Sequence, residues 1–399
     1  MAWLVMPAQS RDGRVSRALT RLGPSYIKLG QFLATRRDLI GPDLTDDLAQ
    51  LQDKLPPFSM REARTAVEAA LGGRLEDHFA EFGPPVAAAS IAQVHKAVAL
   101  DGREVAVKIQ YPGAREALLS DLAQLSRVAR LAAGWIPGLD IKPIMAELRS
   151  RMSEELDYHL EAEHQRAFAA AFRDDPDFAI PDVVLDTPAV LVGEWLHGVP
   201  LSRIIAEGDR QTRDAAAQLY LEFLLVGPGR AGQLHADPHP GNFRITPDGR
   251  LGILDFGAVN RLPGGLPTSI GRLLTLGLAG DAEALVDGLR AEGFIKPTIA
   301  VDPQSVLSYL GMFIEPLTYD RFTFDRAWLR SVTLRMNDVR RPEWAVGMKL
   351  NLPPEYLLIH RVWLGGIGVL CQIGGTVSPR AALAAYLPGF DLAALPPGR

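Results

Sequence analysis

The sequence predicts an α+β fold: a helical N-terminal extension, a small lobe built on a sheet, and a larger, mainly helical lobe. Three observations carry this expectation. Strand patterns cluster between residues 84 and 110 and again between 178 and 194. Helical periodicity fills the stretches before, between and after them. The two patterns do not alternate as the βα units of a doubly wound sheet would.

Taken in order, segment 1–82 reads helical. Leu44, Leu48, Leu51 and Leu55 fall on one stripe, started by Pro42 and stopped by Pro56-Pro57. A second helix over about 59–72 stops at Gly72-Gly73. Residues 84–95, an alternating stretch around Val98 and Leu100, an Asp101-Gly102 turn and residues 104–110 predict antiparallel strands joined by a hairpin. Helical periodicity returns over 114–135 and 143–172. Residues 183–185 and 189–192 are strand-like, and 251–254 form one short apolar strand in the helical remainder. The domain boundaries expected are 1–82, 83–196 and 197–399.

Composition narrows the function. With 47% hydrophobic and 22% charged residues the chain is an ordinary globular one, and its net charge of -5 gives no support to a general affinity for nucleic acid. The single cysteine, Cys371, excludes an internal disulfide and reads as core, since it follows Val369 and Leu370. The most apolar window, 362–375, is shorter than the roughly 20 residues a bilayer span needs, and the start of the chain lacks a secretory signal. The expected location is therefore cytoplasmic, or peripheral on the cytoplasmic side of a membrane. Arg11, Arg14, Arg17, Arg21, Lys28, Arg36 and Arg37 face only Asp12 in their stretch, a basic start that either touches anionic lipid or is a solvated helix face.

The strongest signal is His235-Ala-Asp-Pro-His-Pro-Gly-Asn242, followed by Leu254-Asp255-Phe256-Gly257. Phosphoryl transfer needs positioned charge more than covalent help. One aspartate must face the acceptor oxygen, and an asparagine and a second aspartate must hold magnesium against the phosphates. Asn242 lies five positions after Asp237, and Asp255 thirteen after Asn242, which is the spacing of the protein-kinase catalytic loop and its D-F-G segment. Asp237 is thus the expected catalytic residue, and Asn242 and Asp255 the expected metal ligands. A zinc reading of His235 and His239 fails, because Pro238 and Pro240 forbid the helix that would put both imidazoles on one face.

Upstream, Val105-Ala-Val-Lys108 is a buried-strand pattern ending in a lysine suited to the α- and β-phosphates. Its expected carboxylate partner is Glu161, 53 residues on, with a helical insertion of about 115–150 between them. Glu154, Glu155, Asp157, Glu161 and Glu163 crowd one helix, an arrangement whose mutual repulsion favours a cation-linked role for some of them. Where a phosphate-binding loop belongs, the sequence reads Ala87-Ala88-Ala89-Ser90-Ile-Ala-Gln-Val94 instead of a glycine-rich loop, and alanine bends less freely than glycine. No G-x-x-x-x-G-K-[ST] occurs, which excludes a P-loop NTPase.

The alanine-rich loop, the distant glutamate helix and Lys28-Leu-Gly-Gln31 together resemble the UbiB family of atypical kinase-like proteins, also called the AarF or ADCK group. The stretch from Lys28 to Asp38, continuing to Leu51-Gln-Asp53, looks like that family's KxGQ extension, and Glu155-Leu-Asp157 matches its E-x-D motif. The resemblance runs from about residue 20 to 260. It implies a two-lobed protein-kinase-like fold, with the extension folded over the active site so that phosphorylation of other proteins is disfavoured. It also implies ATP and Mg2+ as ligands, ATP hydrolysis, and support of isoprenoid-quinone (ubiquinone-type) biosynthesis at a membrane. Quinone-pathway proteins, lipid intermediates and an anionic membrane surface are the partners it implies. By the same resemblance Lys28 and Gln31 cover the nucleotide pocket, Glu155 and Asp157 share that inhibitory constellation, and Glu194 and Leu196 belong to a hinge that receives adenine. The chain lacks the membrane-spanning pair that ends some members, and no A-P-E follows Gly257. Two other readings stand beside this one: a small-molecule kinase of the aminoglycoside or choline kinase type, and a slow, pseudokinase-like module that recruits a quinone-pathway complex.

Overall fold

The computed structural model describes residues 57–88, 92–133, 156–338 and 340–399. The elements run α1 (Met60–Leu71), β1 (Phe79–Ala88), β2 (Ala92–Ala99), β3 (Glu104–Gln110), α2 (Ala114–Ala133) and α3 (Tyr158–Ala171). They continue with β4 (Phe178–Ala179), β5 (Val183–Asp186), β6 (Val190–Glu194), β7 (Val199–Pro200), α4 (Leu201–Glu207) and α5 (Arg210–Ala231). Next come β8 (Gln233–His235), β9 (Phe243–Ile245), β10 (Leu251–Ile253) and β11 (Val259–Arg261), and then a largely helical remainder. The chain divides into two compact units. The described residues up to Glu163, with Asp182–Trp195, form the first; His164–Pro181 and Leu196–Arg399 form the second.

The first unit is a five-stranded sheet in the order β1-β2-β3-β6-β5, with every neighbouring pair antiparallel. Alternation along β3 buries Val105, Val107 and Ile109 on one face, where they pack with Val190 and Val192 of β6 and with Ala63 and Val67 of α1. The period of two puts Lys108 on the opposite face. Helix α1 begins with a capping box: Ser59 accepts from the Glu62 amide, and the Glu62 carboxylate accepts from the Ser59 amide. The alanine-rich stretch is less of a loop than the sequence suggested. Ala87 and Ala88 end β1 and pair with Val94 and Gln93 of β2, because a Cβ is no obstacle to extended backbone.

The second unit is built on α5. The Asp209 side chain accepts from the Thr212 amide at its start, Gly232 in the left-handed region ends it, and Tyr220, Phe223 and Leu224 lie buried along it. Around it lie the strands β4-β10-β9-β7 and the pair β11-β8. The apolar window seen in the sequence belongs to a longer helix, Pro354–Ile373, of 20 residues. By length and composition it could cross a membrane. Val362, Gly366, Val369, Leu370, Cys371 and Ile373 on it are buried, and all of these but the glycine pack in the core formed with α5. The Cys371 thiol, pushed up to about 12 by burial and by the charge of Asp325, is a core group. Mixed sheets and helices in this arrangement are α+β.

Candidate nucleotide and metal site

In the first unit, Lys108 Nζ lies 2.7 Å from Glu161 Oε1 and 2.9 Å from Oε2, so one ammonium serves both carboxylate oxygens. Three features hold this geometry. Val94 and Leu191 flank Lys108 across the sheet. Glu161 sits in the first turn of α3, where the helix dipole favours a negative charge. The ring of the buried Tyr158 lies 5.3 Å from the ammonium. With the Glu161 side chain only 5% exposed, the pair is shielded from water, and either charge alone would be costly there. Gln110, at the end of β3, donates to the carbonyls of Leu156 and Pro188 and so ties the strand to the entry of α3.

Asp157 accepts from the amides of His159 and Leu160, which makes it a cap of α3. Glu194 ends β6, with its amide bonded to the Asp182 carbonyl and its carboxylate toward Arg103. Lys28, Gln31, Glu155, Ala89 and Ser90 lie outside the described residues.

In the second unit, β8 delivers His235, and its pairing with β11 carries the chain back beside it. His235 Nε2 donates to the Asp255 carbonyl at 2.8 Å, since that oxygen can only accept. The prolines then force a tight turn over Pro240–Asn242, capped by His239 Nδ1, which accepts from the Gly241 amide. The turn aims Asn242 back at Asp237: Asn242 Nδ2 donates to Asp237 Oδ2 at 2.7 Å. The amide of Leu254 bonds to the Asn242 carbonyl at 2.8 Å, which sets the approach to Asp255 beside the same turn. Thus Asp237, Asn242 and Asp255 are joined by one hydrogen-bonded frame.

Asp255 is exposed, yet its φ of 58° is left-handed, a strained conformation for a residue with a Cβ. The fully buried Phe256 holds it there, with its ring 5.1 Å from that of Phe168 and 5.5 Å from that of His235. The Asp255 carboxylate and the Asn242 Oδ1 are hard oxygen donors of the kind magnesium takes. Because Asn242 Nδ2 is spent on Asp237, its oxygen is the atom left for a ligand.

Three residues of this frame carry no sequence motif. Tyr220 donates its hydroxyl to the Pro238 carbonyl at 2.8 Å, and burial and the charge of Asp237 push its pKa well up. Arg244 donates to the Leu196 carbonyl at 2.5 Å, and burial lowers its pKa. Gly365 lies against the ring of Pro238.

The model of the ABC1 atypical kinase-like domain matches residues 50–288. This chain belongs to the ABC1 atypical kinase-like family. Among curated relatives it is similar to Protein ACTIVITY OF BC1 COMPLEX KINASE 3, chloroplastic, of Arabidopsis thaliana, 37% identical over 307 residues, or 74% of this chain and 42% of the relative. It is also similar to the probable protein kinase UbiB of Marinobacter nauticus, 36% identical over 64% of this chain and 49% of the relative. The chain spans about half the length of the curated relatives it matches. A solved structure, Rv3197 in complex with erythromycin from Mycobacterium tuberculosis, is 36% identical, with a TM-score of 0.78 and 94% of both chains covered. The fold of this ABC1-family chain is accordingly kinase-like.

Proposed function

We propose that this chain binds ATP with Mg2+ and hydrolyses it, in support of isoprenoid-quinone biosynthesis or lipid handling at a membrane surface. The observation that carries the nucleotide half is the shielded, two-oxygen pairing of Lys108 with Glu161. A lysine held this way is already oriented for phosphate oxygens before they arrive. Asn242 and Asp255 would hold the metal, which when bound neutralises charge on the phosphates. Asp237 accepts from Asn242 Nδ2 at one oxygen and, over a longer 3.3 Å, from the His239 amide at the other, and the remaining lone pair of that oxygen would orient a water or hydroxyl and accept its proton. The strained Asp255 backbone is supported by the buried ring of Phe256.

The membrane half rests on the family and on the helix Pro354–Ile373. Leu357 and Leu364 on it are more than half exposed, and Arg361 lies between them. A second reading follows from the solved relative, which binds the macrolide erythromycin: a hydroxyl-bearing small molecule would then be ligand or acceptor here.

The deciding experiment is magnesium-dependent ATP hydrolysis by the purified protein, with and without anionic liposomes, beside Asp255→Asn and Lys108→Ala. Turnover lost in Asp255→Asn and raised by lipid supports the first reading. Nucleotide binding without turnover in any condition leaves a binding module. Phosphate appearing on a soluble alcohol favours the small-molecule reading.

A further inference from the structure

Gln93 and His95, on the face of β2 turned toward α1, have no exposed surface at all. Two fully buried polar side chains in so small a sheet need a full set of partners, and they have one. Gln93 Oε1 accepts from the Phe58 amide at 2.9 Å, and Gln93 Nε2 reaches the Phe58 carbonyl at 3.5 Å. The side chain thereby treats Phe58 as a neighbouring strand would. Gln93 Nε2 also donates to His95 Nε2 at 2.8 Å, and His95 Nδ1 donates to the Gly83 carbonyl at 2.8 Å. An amide nitrogen only donates and a carbonyl only accepts, so the order of donors is fixed and His95 is the neutral Nδ1–H tautomer. Gly83 lies where the register of β1 shifts, and a Cβ there would meet the Lys96 carbonyl at 2.9 Å. The bulge turns the Gly83 carbonyl to the imidazole, and Phe82 stacks on the ring with centroids 4.6 Å apart.

Phe58 is the residue before the cap of α1, so this chain of bonds fastens the entry of that helix to the start of β2. The Phe58 ring also meets Tyr111, just past β3, edge to face at 4.9 Å. The residue after Gln93 is Val94, the direct cross-strand partner of Lys108. We propose that Gln93, locked by His95, is a positioning residue: it clamps the chain entering α1 to β2 and, through Val94, fixes the backbone beside Lys108. Its functional half rests on the nucleotide reading above, and its structural half stands without it.

The test uses the full chain with Gln93→Leu, which removes donor and acceptor, and Gln93→Glu, which keeps an acceptor for the Phe58 amide. Hydrogen exchange at Phe58 reads the clamp, and titration with a fluorescent ATP analogue reads the site. Gln93→Leu is expected to speed Phe58 exchange about tenfold and to weaken nucleotide binding several-fold, while Gln93→Glu, which keeps the acceptor for the Phe58 amide but loses the donor to His95, restores part of the Phe58 protection and of the affinity. Unchanged Phe58 exchange in Gln93→Leu overturns the clamp. Faster exchange with unchanged nucleotide affinity overturns its link to Lys108. A wild-type protein that binds no nucleotide overturns the ATP reading, and Phe58 exchange still decides the clamp.

Discussion

Gly365 lies so close to Pro238 that a Cβ built on the glycine would fall 2.6 Å from the proline Cγ. Pro238 follows Asp237 directly, and Tyr220 holds its carbonyl from the other side. A rigid ring cannot swing away as a long side chain would, so an added methyl at Gly365 must move either the helix or the loop that carries Asp237. Gly365→Ala is expected to lower ATP turnover several-fold with a smaller effect on nucleotide affinity. Gly368 on the same helix meets nothing within 4 Å, so Gly368→Ala is expected to raise stability by up to about 1 kcal/mol through helix propensity and to leave turnover alone. Steady-state kinetics and urea unfolding of the two variants check this. Equal losses of activity in both would refute the contact's role.

The pair formed by Lys108 and Glu161 supports a double-mutant cycle. Lys108→Met takes the ammonium away from a carboxylate that is 5% exposed, and Glu161→Leu takes that carboxylate away from the ammonium. Each single change is expected to cost about 3–5 kcal/mol, and the double variant well under their sum, because replacing a buried pair by apolar groups is far milder than breaking it. Urea unfolding at neutral pH gives the three differences. Additive losses would mean that the two charges do not stabilise one another.

The parts of the site that were legible in the sequence share one property: their geometry is local. Pro238 and Pro240 force the turn that brings Asn242 to Asp237, and a hairpin returns the chain to Asp255, so spacing alone was informative. Lys108 and Glu161 are 53 residues apart, and their meeting could be anticipated only because a buried strand ends in lysine and an acid-rich helix follows. Tyr220, Arg244 and Gly365 gave no signal, since each acts through a contact that tertiary packing creates. The helix Pro354–Ile373 was hidden for the same reason. Only its apolar window, 362–375, stood out in the sequence, and nothing there showed that Gly365 and Gly366 sit where a Cβ would strike Pro238 and Leu224. The alanine-rich stretch misled in the other direction: alanine's fit to extended backbone lengthens β1 and β2 at the expense of the loop.

Cys371 gives a check on the packing of the same helix. Its thiol is buried and pushed up to about 12, so at pH 8 only about one molecule in ten thousand carries the reactive thiolate. Alkylation by iodoacetamide in native buffer is expected to proceed only through opening of the core, at least about a hundredfold slower than in urea. Rapid native labelling would show that this end of the helix is not held in the core as described.

His95 contributes a pH response to the first unit. Burial lowers its pKa below the ordinary 6.5, and its hydrogen bond to Gly83 only partly opposes that. The unfolded chain therefore takes up this proton at a higher pH than the folded one. The stability that the neutral ring supports is present in full above about pH 6.5, and it is lost as pH falls toward and through the lower folded value. Protonation would also turn His95 Nε2 from acceptor to donor, facing the Gln93 amide nitrogen that donates to it at 2.8 Å. Urea unfolding of wild type and His95→Gln between pH 8 and 5 reads the effect. At pH 8 the variant is expected to be less stable, because its side chain cannot reproduce both hydrogen bonds. Toward pH 5 the two curves are expected to converge, as the wild type alone loses the contribution of the neutral ring. Parallel curves across the whole range would mean that His95 keeps the same proton in the folded and unfolded states.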